Sequence, residues 1–390
     1  MILPVAVGAV DEAALLHELC TLVEIETPSR DAEAVNRLAD RIEAYAERLG
    51  LDVERRAGTM GFGDILILRT PRPAGDDAPR VLILAHIDTV HAVGTLAERL
   101  SLRREGDRLY GPGVYDMKSG VAMAIEALRL CLVSGLSHPV DLLIVPDEEV
   151  GSPSSRPAIE ELAQGAIAAL VVEPARDGGK IVTARKGVGV CDITVRGRAA
   201  HAGVRPGDGR SAIHAAARLV LELEALNDPE RGVTVTVGTI QGGTGRNTVP
   251  DECRLQVDLR LPDTTSADEI LGRIRALQPS NPDIHFEVSA NLNRPPFSTS
   301  SASLRLFDHA ARIAEELGFH LEGMATGGGS DGNFTAALGI PTLDGLGADG
   351  AGAHTHDEHI LISSLAPRTT LLANLISTIR RVAELDMLKA

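Results

Sequence analysis

The stretch whose reading decides the fold is Val140 to Ser152, VDLLIVPDEEVGS. An apolar run, Val140 to Val145, gives way to three consecutive acids, Asp147, Glu148 and Glu149, and then to Gly151. A short apolar run with these flanks reads as a buried strand, so the acids sit where it leaves its sheet. Adjacent carboxylates at a strand end repel each other unless positive charge lies nearby, which points to a cation or a shared proton. A bound metal is the sharper reading, and a solvated acidic loop the plain one.

The neighbouring segments repeat this arrangement. Val81 to Ala85 is a continuous apolar strand followed by His86, Ile87 and Asp88. Positions i and i+2 of an extended chain share a side, so His86 and Asp88 point the same way. A third apolar strand, Ala168 to Val172, ends on Glu173 before Pro174. Between them LYGPGVYDMKSG, 109 to 120, is a glycine-rich turn carrying Asp116. It leads into a helix from Met117 to Val133 striped by Val121, Ile125, Leu128 and Leu132. Another helix is expected near Ser155 to Ala163. Strands alternating with helices predict an α/β fold with a mostly parallel sheet, whose carboxyl ends are where ligands bind. Upstream, helical spacing covers Glu12 to Glu24 and Asp31 to Leu49, then a strand Asp64 to Arg69 and a Pro/Gly/Asp-rich loop from 70 to 80.

After Glu173 the rhythm changes. Strand Thr183 to Val195, helix Ser211 to Leu226, strands Val233 to Ile240 and Arg254 to Leu261, helix Ser266 to Leu277 and strand Ile284 to Ala290 spell βαββαβ, the order of a ferredoxin-like sandwich. Residues 186–293 therefore read as an inserted α+β domain within a discontinuous catalytic domain, 1–185 and 294–390. The chain resumes with a helix Leu304 to Leu317, the turn TGGGSD, a strand near Ile340 to Leu343, the cluster HTHDEH and a last helix from Ser364 to Leu388.

At 390 residues two domains are expected. The 38 Lys and Arg against 54 Asp and Glu leave a net charge of −16, which argues against nucleic acid or an anionic membrane as partner. An anionic ligand would need a local basic pocket. Cys20, Cys131, Cys191 and Cys253 are scattered without CxxC, so neither a disulfide framework nor a cysteine zinc site is signalled. The opening MILPVAVGAV lacks a basic region and no run is long enough for a membrane helix, so a cytoplasmic location is expected. Six Phe, three Tyr and no Trp argue against base or sugar stacking on aromatic platforms.

Imidazole and carboxylate are the ligand set of catalytic zinc. His86, Asp116, Glu149, Glu173 and His354 supply two histidines and three acids. Five ligands suit two metals sharing one bridging carboxylate better than one tetrahedral ion. Such a pair stabilises the attacking hydroxide and the oxyanion and brings the pKa of water to about 7.

Over nearly its whole length the sequence resembles the di-zinc aminoacylase and glutamate carboxypeptidase family. The matching stretches are AHIDTV (85–90), GPGVYDMKSG (111–120), PDEEVGSPSSR (146–156), VVEP (171–174), GRAAHAG (197–203), GRNTVP (245–250), DLR (258–260), RPPF (294–297), TGGGSD (326–331) and HTHDE (354–358). The resemblance implies that Asp116 bridges two zinc ions, with His86 and Glu173 completing one site and Glu149 and His354 the other; cobalt or manganese would fit similar donors. It implies Glu148 as general base, Asp88 as the acid orienting His86, and His201, Asn247, Arg260 and Arg294 as residues facing the substrate. The guanidinium fork of Arg260 and Arg294 suits a carboxylate. Pro146 and Tyr115 depart from the pattern, since small residues are usual there, and His356 and His359 flank the chosen ligand His354.

The expected activity is hydrolysis of an amide bond beside a free carboxylate, in an N-acyl amino acid or short peptide, with glutamate release favoured. N-acyl amino acid deacylation is the near alternative. An inactive metal-binding module and a phosphate-binding nucleotide enzyme are the rivals; Glu148 counts against the first and the lack of GxxxxGK[ST] against the second. The insert's free edge strand predicts a homodimer, and the resemblance implies that His201 then serves the partner's site.

Overall fold

The computed structural model describes residues 3–6, 8–71, 79–136 and 138–379. Most of the loop expected at 70–80 and the end of the last helix lie outside the described residues. The chain forms two compact units, one of Met1–Ala184, Thr299–Thr326 and Ser330–Ala390, the other of Arg185–Ser298 and Gly327–Gly329.

The first unit is built on a six-stranded sheet in the spatial order Asp52–Arg56, Ile65–Arg69, Val140–Val145, Arg80–His86, Ala166–Val171, Thr342–Leu343. The last four run parallel to their neighbours and the first two are antiparallel, so the sheet is mostly parallel, as expected. The strand Arg80–His86 explains why an unbroken apolar run is needed. Val81, Ile83 and Ala85 enter the core on one face while Leu82 and Leu84 enter that on the other, because side chains alternate and both faces are covered. Helices Ser119–Ser134 and Leu365–Thr378 pack together in the larger of these cores, and Arg156–Ala163 contributes to the smaller. Register brings the ligand-bearing ends together: His86 lies opposite Val145, and Leu84 opposite Val171.

The second unit follows the expected βαββαβ order: Gly187–Arg196, Ala212–Glu224, Thr234–Gly242, Glu252–Leu261, Thr264–Arg275, His285–Arg294. Its antiparallel sheet places Thr234–Gly242 at one edge and His285–Arg294 at the other. The single strand expected over Thr183 to Val195 is two, Ile181–Arg185 and Gly187–Arg196, because the chain passes from one sheet to another at Lys186. The strand Asp52–Arg56, DVERR, was not expected: its polar sequence has no apolar period, and it forms by pairing with Ile65–Arg69. Among the described residues no helix is long and apolar enough to cross a membrane.

Candidate metal centre and active site

His86 closes its strand with the ring already oriented. Its Nδ1 donates to the backbone carbonyl of Asp88 at 3.0 Å, since a carbonyl can only accept, and this turns Nε2 toward the acids. Nε2 lies 3.3 Å from Asp116 Oδ1 and 3.6 Å from Glu173 Oε1. The Asp88 carboxylate, wholly buried, is 3.3 Å from the same Nδ1. It also accepts from Ser29 Oγ at 2.6 Å and from the backbone N of Glu148 and Glu149 at 3.1 and 3.2 Å. One buried acid thus sets both the imidazole and the short turn Glu148–Val150.

Asp116 sits in a kink of the chain at Val114–Lys118, where the backbone is non-helical at Asp116 (φ −114, ψ 92) and Met117 (φ −135, ψ 39), so no regular ladder holds it. Glu358 holds it. Its carboxylate, 1 % exposed, accepts from the backbone N of Gly113, Tyr115 and Asp116 at 2.9 to 3.0 Å and pairs with His91 Nε2 at 2.7 Å. Gly113 enters the turn at φ 70, where a Cβ would meet Thr89 Cγ2 at 2.5 Å. A Cβ at Gly120 would lie 2.0 Å from the Val172 carbonyl oxygen, so the helix start presses directly against the segment carrying Glu173.

His354, in left-handed backbone at φ 64, brings Nε2 to 3.0 Å from Glu149 and 3.5 Å from Asp116 Oδ2. His356 instead lies 6.3 Å, ring to ring, from His91. Ligating atoms of His86, Glu148 and Glu173 lie within 4.8 Å of one another, as do those of His86, Asp116 and Glu149. The five expected ligands and Glu148 are therefore gathered in one place.

The remaining expected residues belong to the second unit. His201 is exposed, and its Nδ1 accepts from the backbone N of Gly203 and Val204 at 3.1 and 3.2 Å, which places the ring proton on Nε2. Asn247 is exposed in a turn. Arg260 is half-buried with its fork on Asp258 at 2.8 and 3.0 Å, and Arg294 is buried with its stem against Gly329. Glu358 was missed as a functional residue; the DE ending of HTHDE was its only local signal.

Electrostatics states what the centre needs. Burial disfavours a charged His86, yet its bonds to Asp116 and Asp88 raise it well above the ordinary imidazole value. Asp116 and Glu149 push His354 up to about 10. Burial also works to raise Asp116, but the two histidines hold it below the usual carboxylate range, while burial raises Glu149. Without a cation the imidazoles must carry protons to balance the acids, and those protons occupy the lone pairs a metal would use. Oxygen and imidazole donors, oriented by Asp88 and Glu358, fit one or two divalent ions.

A mostly parallel sheet with two histidines and several carboxylates at its carboxyl edge is the architecture of a metal-binding hydrolase. The model of peptidase family M20/M25/M40 matches residues 82–378, and the chain belongs to that family. It is 31% identical over 375 residues to carboxypeptidase G2 of Pseudomonas sp. (strain RS-16), covering 94% of this chain and 89% of the relative. It is 27% identical over 388 residues to a succinyl-diaminopimelate desuccinylase of Delftia acidovorans, covering 94% and 97%. Among solved structures it resembles the M20 family metallo-carboxypeptidase Sso-CP2 from Sulfolobus solfataricus, with TM-score 0.73 and 18% identity over 93% of this chain and 98% of that one. It also resembles the dinuclear metal-binding YXEP protein from Bacillus subtilis, with TM-score 0.68 and 17% identity over 95% and 99%.

Proposed function

We propose that this protein is a zinc-dependent hydrolase of an amide bond beside a free carboxylate, of the glutamate carboxypeptidase kind. The observation that carries the reading is Glu148: its carboxylate lies within the ligating group of His86 and Glu173, while its backbone is pinned by Asp88. Two zinc ions held by His86, Asp116, Glu149, Glu173 and His354 would polarise the scissile carbonyl and acidify the attacking water. Glu148 takes the proton of that water and returns it to the leaving nitrogen. Asp88 keeps Glu148 and His86 in register through the whole cycle. Arg294, buried and cationic, receives the carboxylate beside the scissile bond, with Asn247 and Arg260 as further substrate contacts; Arg260 would have to release Asp258 to take part.

The similarity to carboxypeptidase G2 favours release of a C-terminal residue, and the similarity to the desuccinylase keeps N-acyl deacylation as the second reading. A panel of N-acyl amino acids and dipeptides differing only in the C-terminal residue, assayed with zinc-loaded protein, separates them. Selective turnover of C-terminal glutamate supports the first, selectivity for the acyl group supports the second, and no amide hydrolysis sinks both.

We also propose a cytoplasmic homodimer. The edge strand Thr234–Gly242 offers an unpaired side, and Ile213, Leu221 and Ile240 are exposed on that strand and on the helix packed against it.

A further inference from the structure

The six-stranded sheet locates three of the five proposed ligands. His86 ends one strand, and Glu149 and Glu173 follow the ends of the two strands that flank it, so ladder hydrogen bonds fix where those ends lie. Asp116 and His354 lie off that sheet, one in the kink Val114–Lys118 and the other just beyond the short strand Gly350–Ala351. Zinc bonds to oxygen or nitrogen are about 2.0 to 2.2 Å long and tolerate little drift, so these two segments need ties to the sheet-borne ligands. Glu358 gives one tie by accepting from the backbone at Gly113, Tyr115 and Asp116.

Tyr115 gives another. It departs from the family pattern by its bulk, and it is buried, 4 % exposed. Its hydroxyl donates to the Ala175 carbonyl, two residues beyond Glu173, while its own peptide runs into Asp116. The receiving segment is in turn laced to the one that leads to His354: Gly347 N donates to Glu173 O at 2.9 Å, and Ala175 N to Ala348 O at 3.0 Å. The ring edge closes on Gly350, where a Cβ would lie 2.9 Å from Tyr115 Cδ2 and 2.2 Å from the His359 carbonyl oxygen. Glycine alone lets the backbone approach so closely. One side chain thus touches the approaches to Asp116, Glu173 and His354.

We propose that Tyr115 is a positioning residue of the metal centre: its hydroxyl and ring hold the off-sheet ligands Asp116 and His354 at a fixed distance from Glu173, and so set the affinity of the centre for its ions. The proposal rests on the metal reading above and adds to it the side chain that fixes the spacing. Removing the hydroxyl leaves the Ala175 carbonyl without that donor and frees Asp116 to drift from Glu173. Removing the ring opens space beside Gly350 and frees the segment leading to His354 as well.

The test measures successive zinc affinities, by competition against a chelating dye, for wild type, Tyr115→Phe and Tyr115→Leu. Tyr115→Phe keeps the ring and loses only the hydroxyl, and affinity for at least one ion should fall by about 10- to 100-fold. Tyr115→Leu should weaken every ion that wild type holds; should it not fold, Tyr115→Phe decides alone. The visible absorption of the cobalt-loaded proteins, which reports the arrangement of donors around the ion, should change in Tyr115→Phe and further in Tyr115→Leu. Thermal unfolding of the metal-free proteins separates bracing from packing. Wild-type zinc affinity and an unaltered cobalt spectrum in Tyr115→Phe, with stability lowered or not, would overturn the proposal and leave Tyr115 a filler of the core. Wild type that binds no zinc would sink the metal reading and the brace together. Wild type that binds zinc yet hydrolyses no amide would sink the hydrolase reading alone, since the affinities still decide the role of Tyr115.

Discussion

Glu148 and Glu149 are neighbours in sequence with different surroundings. Both backbones hang from Asp88, but the Glu149 carboxylate faces His354 while that of Glu148 reaches His86 and Glu173. Glu148→Gln keeps the shape and cannot accept a proton, so turnover should fall by about 10² to 10⁴ with zinc content near wild type. Glu149→Gln should lose zinc instead; the reverse pattern, read by metal analysis beside kinetics, would exchange their roles. Asp147, completing the acidic triplet, does something else. It is fully enclosed and accepts from Ser154 N and from Ser155 N and Oγ, yet burial pushes its carboxyl up to about 6 from an ordinary 3.8. Between those two values the folded state binds more protons than the unfolded one, so stability falls as pH rises through the window. For metal-free protein, Asp147→Asn should flatten the decline in unfolding free energy between pH 4 and 6 by on the order of 2 kcal/mol. Urea titrations of the two proteins across that range measure it, and parallel curves would count against the shifted carboxyl.

At the level of elements, the parts of the site that could be read from the chain are those that end regular structure. Arg80–His86 and Val140–Val145 announce themselves because a strand covered on both faces must be apolar throughout, and the polar residues at their ends then stand out. The same logic fails for Asp52–Arg56 and for Gly323–Thr326, edge strands whose pairing rather than composition makes them strands. It fails also for Glu358, since a carboxylate that serves backbone N–H groups more than 240 residues away leaves no periodic trace. His354 is preferred to His356 in the sequence because it directly precedes the TxDE tail, and the backbone supplies the physical reason: it turns left-handed at His354 and carries its ring to Glu149. The turn Val114–Lys118 gives the next prediction. Glu358→Ala leaves the N–H groups of Gly113, Tyr115 and Asp116 without their acceptor, and affinity for zinc should fall by about 10- to 100-fold. Competition against a chelating dye measures this; an unchanged affinity would mean the turn holds itself.

The whole molecule enters through the second unit. His201 presents an Nε2–H because both N–H groups beside it occupy Nδ1, which makes it a donor suited to an oxyanion. If the proposed dimer delivers that donor to a partner's centre, two inactive proteins should restore each other. His201→Ala and Glu148→Ala, unfolded and refolded together, would form mixed dimers in which one centre carries both lesions and the other neither, so activity should return. Mixed dimers that form and stay inactive, or an active monomer, would refute delivery between subunits.

The span of the Glu358 contacts also bears on how the protein comes off the ribosome. Four of the proposed ligands, together with Asp88 and Glu148, are synthesised within the first 173 residues, but the carboxylate that shapes the Asp116 turn and the fifth ligand, His354, arrive only after residue 350. A nascent chain therefore passes through most of its synthesis with its acids made and their geometry unset, so metal loading belongs to the completed polypeptide and not to its emerging half.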